Sequence, residues 1–145
     1  MKNYLLTFLL LALLSSCAKQ YTPANYTGSR IEFGSGGGIT GAVTRYVLLE
    51  NGQLFRQQGP DTSFQEATAR LDKSVVKQKF DNYKFLKLSD VQYQQPDNMY
   101  YFVQHQEGDQ MHTITWGGAA PNLPTDVKIF YRNLNQLTKQ LRFKD

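Results

Sequence analysis

The stretch Ala42-Val-Thr-Arg-Tyr-Val-Leu-Leu-Glu-Asn-Gly-Gln-Leu-Phe-Arg-Gln57 decides the fold, because it places two strand-forming runs on either side of Asn51-Gly52. Asn and Gly tolerate the positive φ that both central residues of a two-residue type I′ turn require. The sequence therefore predicts a β-hairpin in which Leu48 pairs with Phe55.

This register also pairs Glu50 with Gln53 and divides the apolar side chains of the hairpin between two faces of a sheet. One face carries Tyr46, Leu48 and Phe55, and the other carries Val43, Val47, Leu49 and Leu54. Both sets are apolar, so the pattern does not indicate which face belongs to the core.

A glycine-rich segment precedes the hairpin. Its sequence predicts a short strand at residues 31–33 and a loop at residues 34–41. Gly36-Gly-Gly-Ile-Thr-Gly41 fits the G-x-G-x-x-G pattern of dinucleotide-binding folds, but a strand follows it instead of the helix that binds the pyrophosphate. The segment is therefore interpreted either as a connection between strands or as a partner contact, since glycine permits close backbone approach. A partner contact would use Gly36, Gly37, Gly38 and Ile39.

Two helices are expected further along the chain. Ser74 is expected to cap a helix that runs to about Lys84, with one stripe formed by Val76, Phe80 and Tyr83. A second helix after Pro124 follows from apolar residues at spacings of three and four. These residues are Val127, Phe130, Leu134, Leu137 and Leu141.

The remaining strands complete the predicted sheet. Residues 63–71 are expected to form a strand or an extended edge, and residues 92–98 a loop. A second hairpin is expected from residues 99–106 and 110–116. This order of elements predicts an α+β fold, in which an antiparallel sheet is built from two hairpins and two helices pack on one face.

The second hairpin brings two histidines together. If Gly108-Asp109 is a two-residue turn, His105 lies opposite His112 with Cβ atoms about 5 Å apart. Such a pair could hold Zn²⁺ or Cu²⁺ if Glu107 or Asp109 supplied a third ligand. The histidines more simply complete an apolar stripe, so we expect neither a metal nor a cofactor. The stripe contains Tyr101, Val103, Ile114 and Trp116.

The N-terminus has the layout of a secretion signal. Lys2 is followed by the apolar run Tyr4–Leu14, which is shorter than the roughly 20 residues that span a bilayer. The run ends in Leu14-Ser-Ser-Cys17, which resembles the bacterial lipobox, where a signal peptidase cleaves before a cysteine that becomes lipidated. Cys17 is the only cysteine in the chain, so no disulfide framework is available.

The lipobox resemblance implies three parts of the chain. Residues 1–16 would be a signal peptide, residues 17–29 a lipidated tether with acyl chains such as palmitate on Cys17, and residues 30–145 a single α+β domain. Several acyl chains anchor a protein stably where one does so only marginally. Because Ala18 rather than Asp follows the cysteine, the resemblance implies the outer membrane, with the domain facing the periplasm.

The layout of residues 30–141 resembles that of emfourin-type inhibitors of metalloproteases. In these small domains a strand leads into a Ser-Gly-Gly loop, and here the matching motif is Ser35 to Gly41. A following strand, a middle helix, a hairpin and a last helix after Pro124 complete the likeness. The resemblance implies a domain without catalytic apparatus that binds a protein or peptide partner.

Composition narrows the function further. The chain of 145 residues has a formal net charge of +4 with scattered charges, whereas a nucleic-acid surface needs clustered Lys and Arg. No motif for a catalytic nucleophile or paired acid and base is recognisable. We therefore expect a membrane-anchored, non-enzymatic binding domain, inhibitor-like in character. A small hydrolase with unrecognised catalytic residues and a purely structural envelope component are the alternatives, and the oligomeric state stays open.

Overall fold

A computed structural model describes residues 20–144, so the expected signal peptide, Cys17 and the first part of the expected tether lie outside the described residues. The described chain has an α+β fold. No helix within it is long and apolar enough to span a bilayer. In chain order the elements are β1 (Arg30–Gly37), β2 (Val43–Leu49), β3 (Leu54–Gln58), β4 (Gln65–Glu66), α1 (Lys73–Phe85), a 3₁₀ turn (Leu88–Asp90), β5 (Gln94–Gln95), β6 (Met99–Glu107), β7 (Gln110–Gly117) and α2 (Thr125–Lys139).

The seven strands form one sheet in the order β4-β3-β2-β1-β6-β7-β5. Neighbouring strands are antiparallel except β5 and β7, which are parallel, so the sheet is mixed. The sheet is therefore larger than the two expected hairpins. β1 lies between β2 and β6 and joins one hairpin to the other.

The first hairpin forms, but its predicted turn is wrong. The connection has three residues, Glu50–Gly52, because the Leu49 amide donates to the Gln53 carbonyl at 2.9 Å. Gly52 has a φ of 92°, whereas Asn51 does not have a positive φ. A type I′ turn needs positive φ at both central residues, while a three-residue connection needs it only at the last.

The longer turn shifts the predicted register by one residue. Leu48 pairs with Leu54, and Val47 pairs with Phe55. A shift of one residue moves a side chain to the opposite face. Leu48 and Leu54 therefore lie together in the larger of two core clusters, whereas Val47, Leu49 and Phe55 form the smaller cluster on the other face.

The larger cluster includes the apolar stripes that the sequence predicts for both helices. From α1 it contains Val76, Phe80 and Tyr83, and from α2 it contains Val127, Phe130, Leu134 and Leu137. Leu141 lies beyond the end of α2 and packs against the cluster only in part. Ser74 does not cap α1, because the helix begins at Lys73 with Asp72 at the cap position.

Both edges of the sheet differ from the prediction. Within residues 63–71 only Gln65–Glu66 form a strand, and Ala67 makes a single bridge to Phe143. The expected loop at residues 92–98 contains β5. Both outer strands, β4 and β5, are thus two residues long.

Part of the expected tether packs against the sheet. The rings of Tyr21 and Tyr26 lie 5.3 Å apart, and both pack against the smaller cluster. The Gln53 side-chain amide donates to the Tyr21 carbonyl at 3.3 Å, and Arg30 donates to the Pro23 carbonyl at 2.5 Å. The folded domain therefore begins before Arg30, because these tyrosines cover apolar residues that the sheet would otherwise expose.

Candidate functional site

The glycine-rich segment divides between a strand and a loop. Gly36 pairs with Val43 on one side and Tyr100 on the other, and Gly37 pairs with Met99. These two glycines therefore belong to the central strand, not to the loop that the sequence predicts. The connection to β2 is formed by residues 38–42, which we call the glycine loop.

Contacts that only glycine permits fix the glycine loop at its start. Gly37 has a φ of 102°, and a Cβ atom there would lie 1.9 Å from the Asn98 carbonyl oxygen. The amide of Gly38 donates to the same oxygen at 2.8 Å, and the amide of Gly41 donates to the Gly38 carbonyl at 3.1 Å. Gly37, Gly38 and Gly41 all have a positive φ, which glycine adopts at little steric cost. The backbone of the loop can therefore follow this course.

An apolar tip projects from this end of the sheet. Ile39 is fully exposed, at 106 % of its reference area, and Met99 is 48 % exposed. A Cβ atom at Gly38 would lie 3.2 Å from the Met99 sulfur, so the methionine lies beside the base of the loop. We call Ile39 and Met99 the apolar tip. Residues 36–44 contain no charged side chain, so contacts made there are apolar or through backbone.

The two histidines lie opposite each other, as the sequence predicts, because Gly108 and Asp109 form a two-residue turn between Glu107 and Gln110. Gly108 has a φ of 59°, as the first central residue of a type II′ turn requires. The predicted pairing of His105 with His112 is therefore confirmed.

Tyr83 of α1 lies against both histidines. Its ring stacks on that of His105 with centroids 4.4 Å apart, and its hydroxyl lies 2.8 Å from Nδ1 of His112. The Nε2 atom of His112 lies 3.0 Å from the Val91 carbonyl oxygen. A neutral His112 can donate from Nε2 and accept at Nδ1, so both of its nitrogens are engaged within the protein.

His105 is 8 % exposed, and its Nε2 atom is buried without a hydrogen-bond partner among the described residues. Burial lowers the pKa of His105 below its usual value, and the nearby Glu107 raises it by less. Burial, with a smaller contribution from Asp90, raises the pKa of Tyr83 to about 12. Both groups are therefore neutral near pH 7.

A cavity of about 380 Å³ opens beside these rings. Glu107, which with Asp109 is a candidate for a third metal ligand, lines the cavity and pairs with Lys84 at 3.4 Å. Residues 20–144 contain no group of three or more His, Cys, Asp or Glu side chains placed to hold a metal ion.

No protein-family model matches the chain, and no curated protein matches it significantly. The resemblances to the lipobox and to emfourin-type inhibitors therefore rest on the residues that carry them.

The sequence identified Ile39 but missed Met99. Met99 is an apolar residue at the start of a predicted strand, which is the only local indication of its exposure. Its proximity to the glycine loop depends on the pairing of β1 with β6, which the local sequence does not show. Cys17, the expected site of lipidation, lies outside the described residues.

Proposed function

We propose that this chain is a lipid-anchored binding domain of the bacterial cell envelope that recognises a protein or peptide partner through the apolar tip. The observation that carries the proposal is the full exposure of Ile39 on a loop whose backbone is fixed by Gly37 and Gly38. An exposed isoleucine on a hydrogen-bonded loop, next to the glycine that lies against an exposed methionine, suits insertion into an apolar pocket of a partner.

The energetics favour such a contact. Transfer of an isoleucine side chain from water into an apolar pocket contributes about 1.5–3 kcal/mol. A loop already held in one conformation loses less entropy on binding than a flexible loop. Because residues 36–44 carry no charge, the contact also avoids the cost of desolvating charged groups. Insertion of this loop into a partner's cleft would be inhibitor-like.

The anchoring part of the proposal comes from the sequence. Leu14-Ser-Ser-Cys17 resembles a lipobox, and Ala18 favours the outer membrane, with the domain facing the periplasm. We also propose that α1 and α2 cover one face of the sheet, since their buried residues belong to the same cluster. The apolar tip lies at the end of the central strands, beyond that cluster.

Capture of partners from membranes tests the function. The lipidated wild-type protein, an Ile39→Asp variant and a Met111→Asp variant would be used as bait, and co-eluting proteins would be compared. Met111 is a matched control, because it is apolar, 64 % exposed and part of the other hairpin. We expect Ile39→Asp to lose a partner that the wild type and Met111→Asp both retain. Equal capture by all three proteins would contradict recognition through the tip and favour a structural role.

A further inference from the structure

The domain is joined to the expected lipid anchor by a very short link. Tyr21 is fixed to the sheet by its packing against the smaller cluster and by the hydrogen bond from Gln53 to its carbonyl. Only three residues separate Cys17 from Tyr21. Even when fully extended, the four steps between them span at most about 14 Å.

This reach is small compared with the domain. A domain of this length has a radius of gyration of about 14 Å. A lipidated Cys17 lies at the headgroup level. Tyr21 therefore stays within about 14 Å of the headgroups, a distance similar to the radius of gyration of the domain. The surface around Tyr21 must therefore stay close to the membrane.

The chain leaves the domain at one identifiable edge of the sheet. Gln20 and Lys144 line the same surface cavity, together with Glu66 of β4. Residues 142–144 extend the sheet beyond β4, since the Thr68 amide donates to the Arg142 carbonyl at 2.8 Å and the Lys144 amide donates to the Glu66 carbonyl at 2.9 Å. We call this side of the domain, from β4 to residue 144, the β4 edge.

The β4 edge presents cationic side chains. Arg142 and Lys144 are exposed there, Lys144 pairs with Glu66 at 2.7 Å, and Arg70 is near enough to Glu66 to lower the pKa of that carboxyl. Arg142 and Lys144 alternate with Phe143, which is partly buried against the larger cluster, so they point away from the core. Guanidinium and ammonium groups donate hydrogen bonds to phosphate oxygens.

We propose that the β4 edge lies against the membrane that holds Cys17, with Arg142 and neighbouring cations contacting the phosphates of phospholipid headgroups. This inference rests on the lipid anchor of the proposed function. It fixes an orientation, because β5 lies at the opposite edge of the sheet, six strand spacings or roughly 29 Å from β4.

Energy transfer from labelled cysteines to acceptor-labelled headgroups tests the orientation. The lipidated protein would carry Thr68→Cys at the β4 edge or Gln95→Cys in β5, both exposed positions, in vesicles of phosphatidylcholine mixed with phosphatidylglycerol. We expect several-fold higher transfer from position 68 than from position 95. Equal transfer, or higher transfer from position 95, would overturn the proposal.

A charge reversal tests the phosphate contact. Arg142→Glu should lower the transfer from position 68, whereas Lys87→Glu, the same charge change at an exposed site on the turn after α1, should leave it unchanged. If both variants behave alike, the cationic contact is refuted. Circular dichroism and melting temperature would first establish that each variant folds.

The anchor itself is checked separately by the mass of each purified protein. An unmodified Cys17 would refute the anchor on which the orientation depends. An acylated Cys17 with equal transfer from the two labels would refute only the orientation.

Discussion

The hydroxyl of Tyr83 on α1 lies 2.8 Å from Nδ1 of His112 on β7. This contact joins the first helix to the second hairpin, and it places a polar group beside the buried ring of His105. Both the hydrogen bond and the buried imidazole should affect the free energy of unfolding.

Replacing Tyr83 with Phe removes the donor to His112 and leaves a part-buried acceptor without a partner. We expect a loss of about 1–3 kcal/mol in the free energy of unfolding, measured by urea titration. Tyr93→Phe is the matched control, because the Tyr93 hydroxyl is buried without a hydrogen-bond partner among the described residues. Its removal should be neutral or stabilising, and a comparable loss in both variants would contradict the role of the hydrogen bond.

Acidification should destabilise the protein through His105. Its pKa is lowered in the folded state, chiefly by burial, so below about pH 6.5 the unfolded chain binds a proton before the folded protein does. This contribution is fully present above pH 6.5 and is lost as pH falls through the lowered pKa. Urea unfolding across this range should show a decline that is shallower in His105→Phe. An identical slope in that variant would refute the assignment to His105.

Alanine substitutions at two glycines with positive φ distinguish the cost of backbone strain from the cost of a steric clash. At Gly41, which has a φ of 61°, a Cβ atom meets nothing within 4 Å, so Gly41→Ala should cost about 1–2 kcal/mol. At Gly37 the Cβ atom would meet the Asn98 carbonyl at 1.9 Å inside the sheet, so Gly37→Ala should cost clearly more. Melting temperatures of the two variants test this ranking, and equal shifts would contradict it.

The exposure of Ile39 predicts that its replacement leaves stability intact. Ile39→Asp should change the free energy of unfolding by no more than about 0.5 kcal/mol. Leu134, which is fully buried in α2, provides the comparison, since Leu134→Ala should cost about 2–5 kcal/mol. Chemical denaturation of both variants is the measurement. A similar loss in each would show that Ile39 supports the fold and would remove the basis for a binding role.

Lipidation of Cys17 is expected from the motif that ends at this residue. Mass spectrometry of the mature N-terminus should find an acylated Cys17, and Cys17→Ser should shift the protein from the membrane to the soluble fraction. Membrane fractionation should place the wild type with outer-membrane markers. A start at another residue, or a protein found only with inner-membrane markers, would contradict the corresponding part of the expectation.

The two hairpins show what local sequence can and cannot predict. The second register was predicted correctly, because Gly108 suits a two-residue turn and the flanking residues pair directly across it. Asn51-Gly52 fits either of two turn lengths. The distant Leu71 contacts this turn, since its amide donates to the Gly52 carbonyl at 3.0 Å. Such a contact cannot be read from the hairpin sequence alone.

Only part of the candidate site could be predicted, because the rest depends on contacts between strands that are distant in the sequence. Ile39 stands out in the sequence as the one large apolar side chain among the glycines. The extension of β1 through Gly36 and Gly37 was missed, because glycine has low strand propensity and the strand depends on its neighbours. The rings of Phe102 and Tyr100 lie close to Gly34 and Gly36, respectively, so cross-strand aromatic residues fill the space above the glycines.

If Cys17 holds the chain at a membrane, as we propose, the brevity of β4 and β5 matters where many copies share that surface. Proteins anchored in one leaflet meet at high local concentration, where an unpaired strand at the edge of a sheet invites pairing between molecules. Here each outer strand offers only two residues, and residues 142–144 lie beyond β4 with Arg142 and Lys144 exposed. Such edges give a second molecule little backbone to add to, and at the β4 edge Arg142 and Lys144 would meet the like charges of an identical neighbour. We therefore expect the sheet that supports the glycine loop to resist edge-to-edge aggregation.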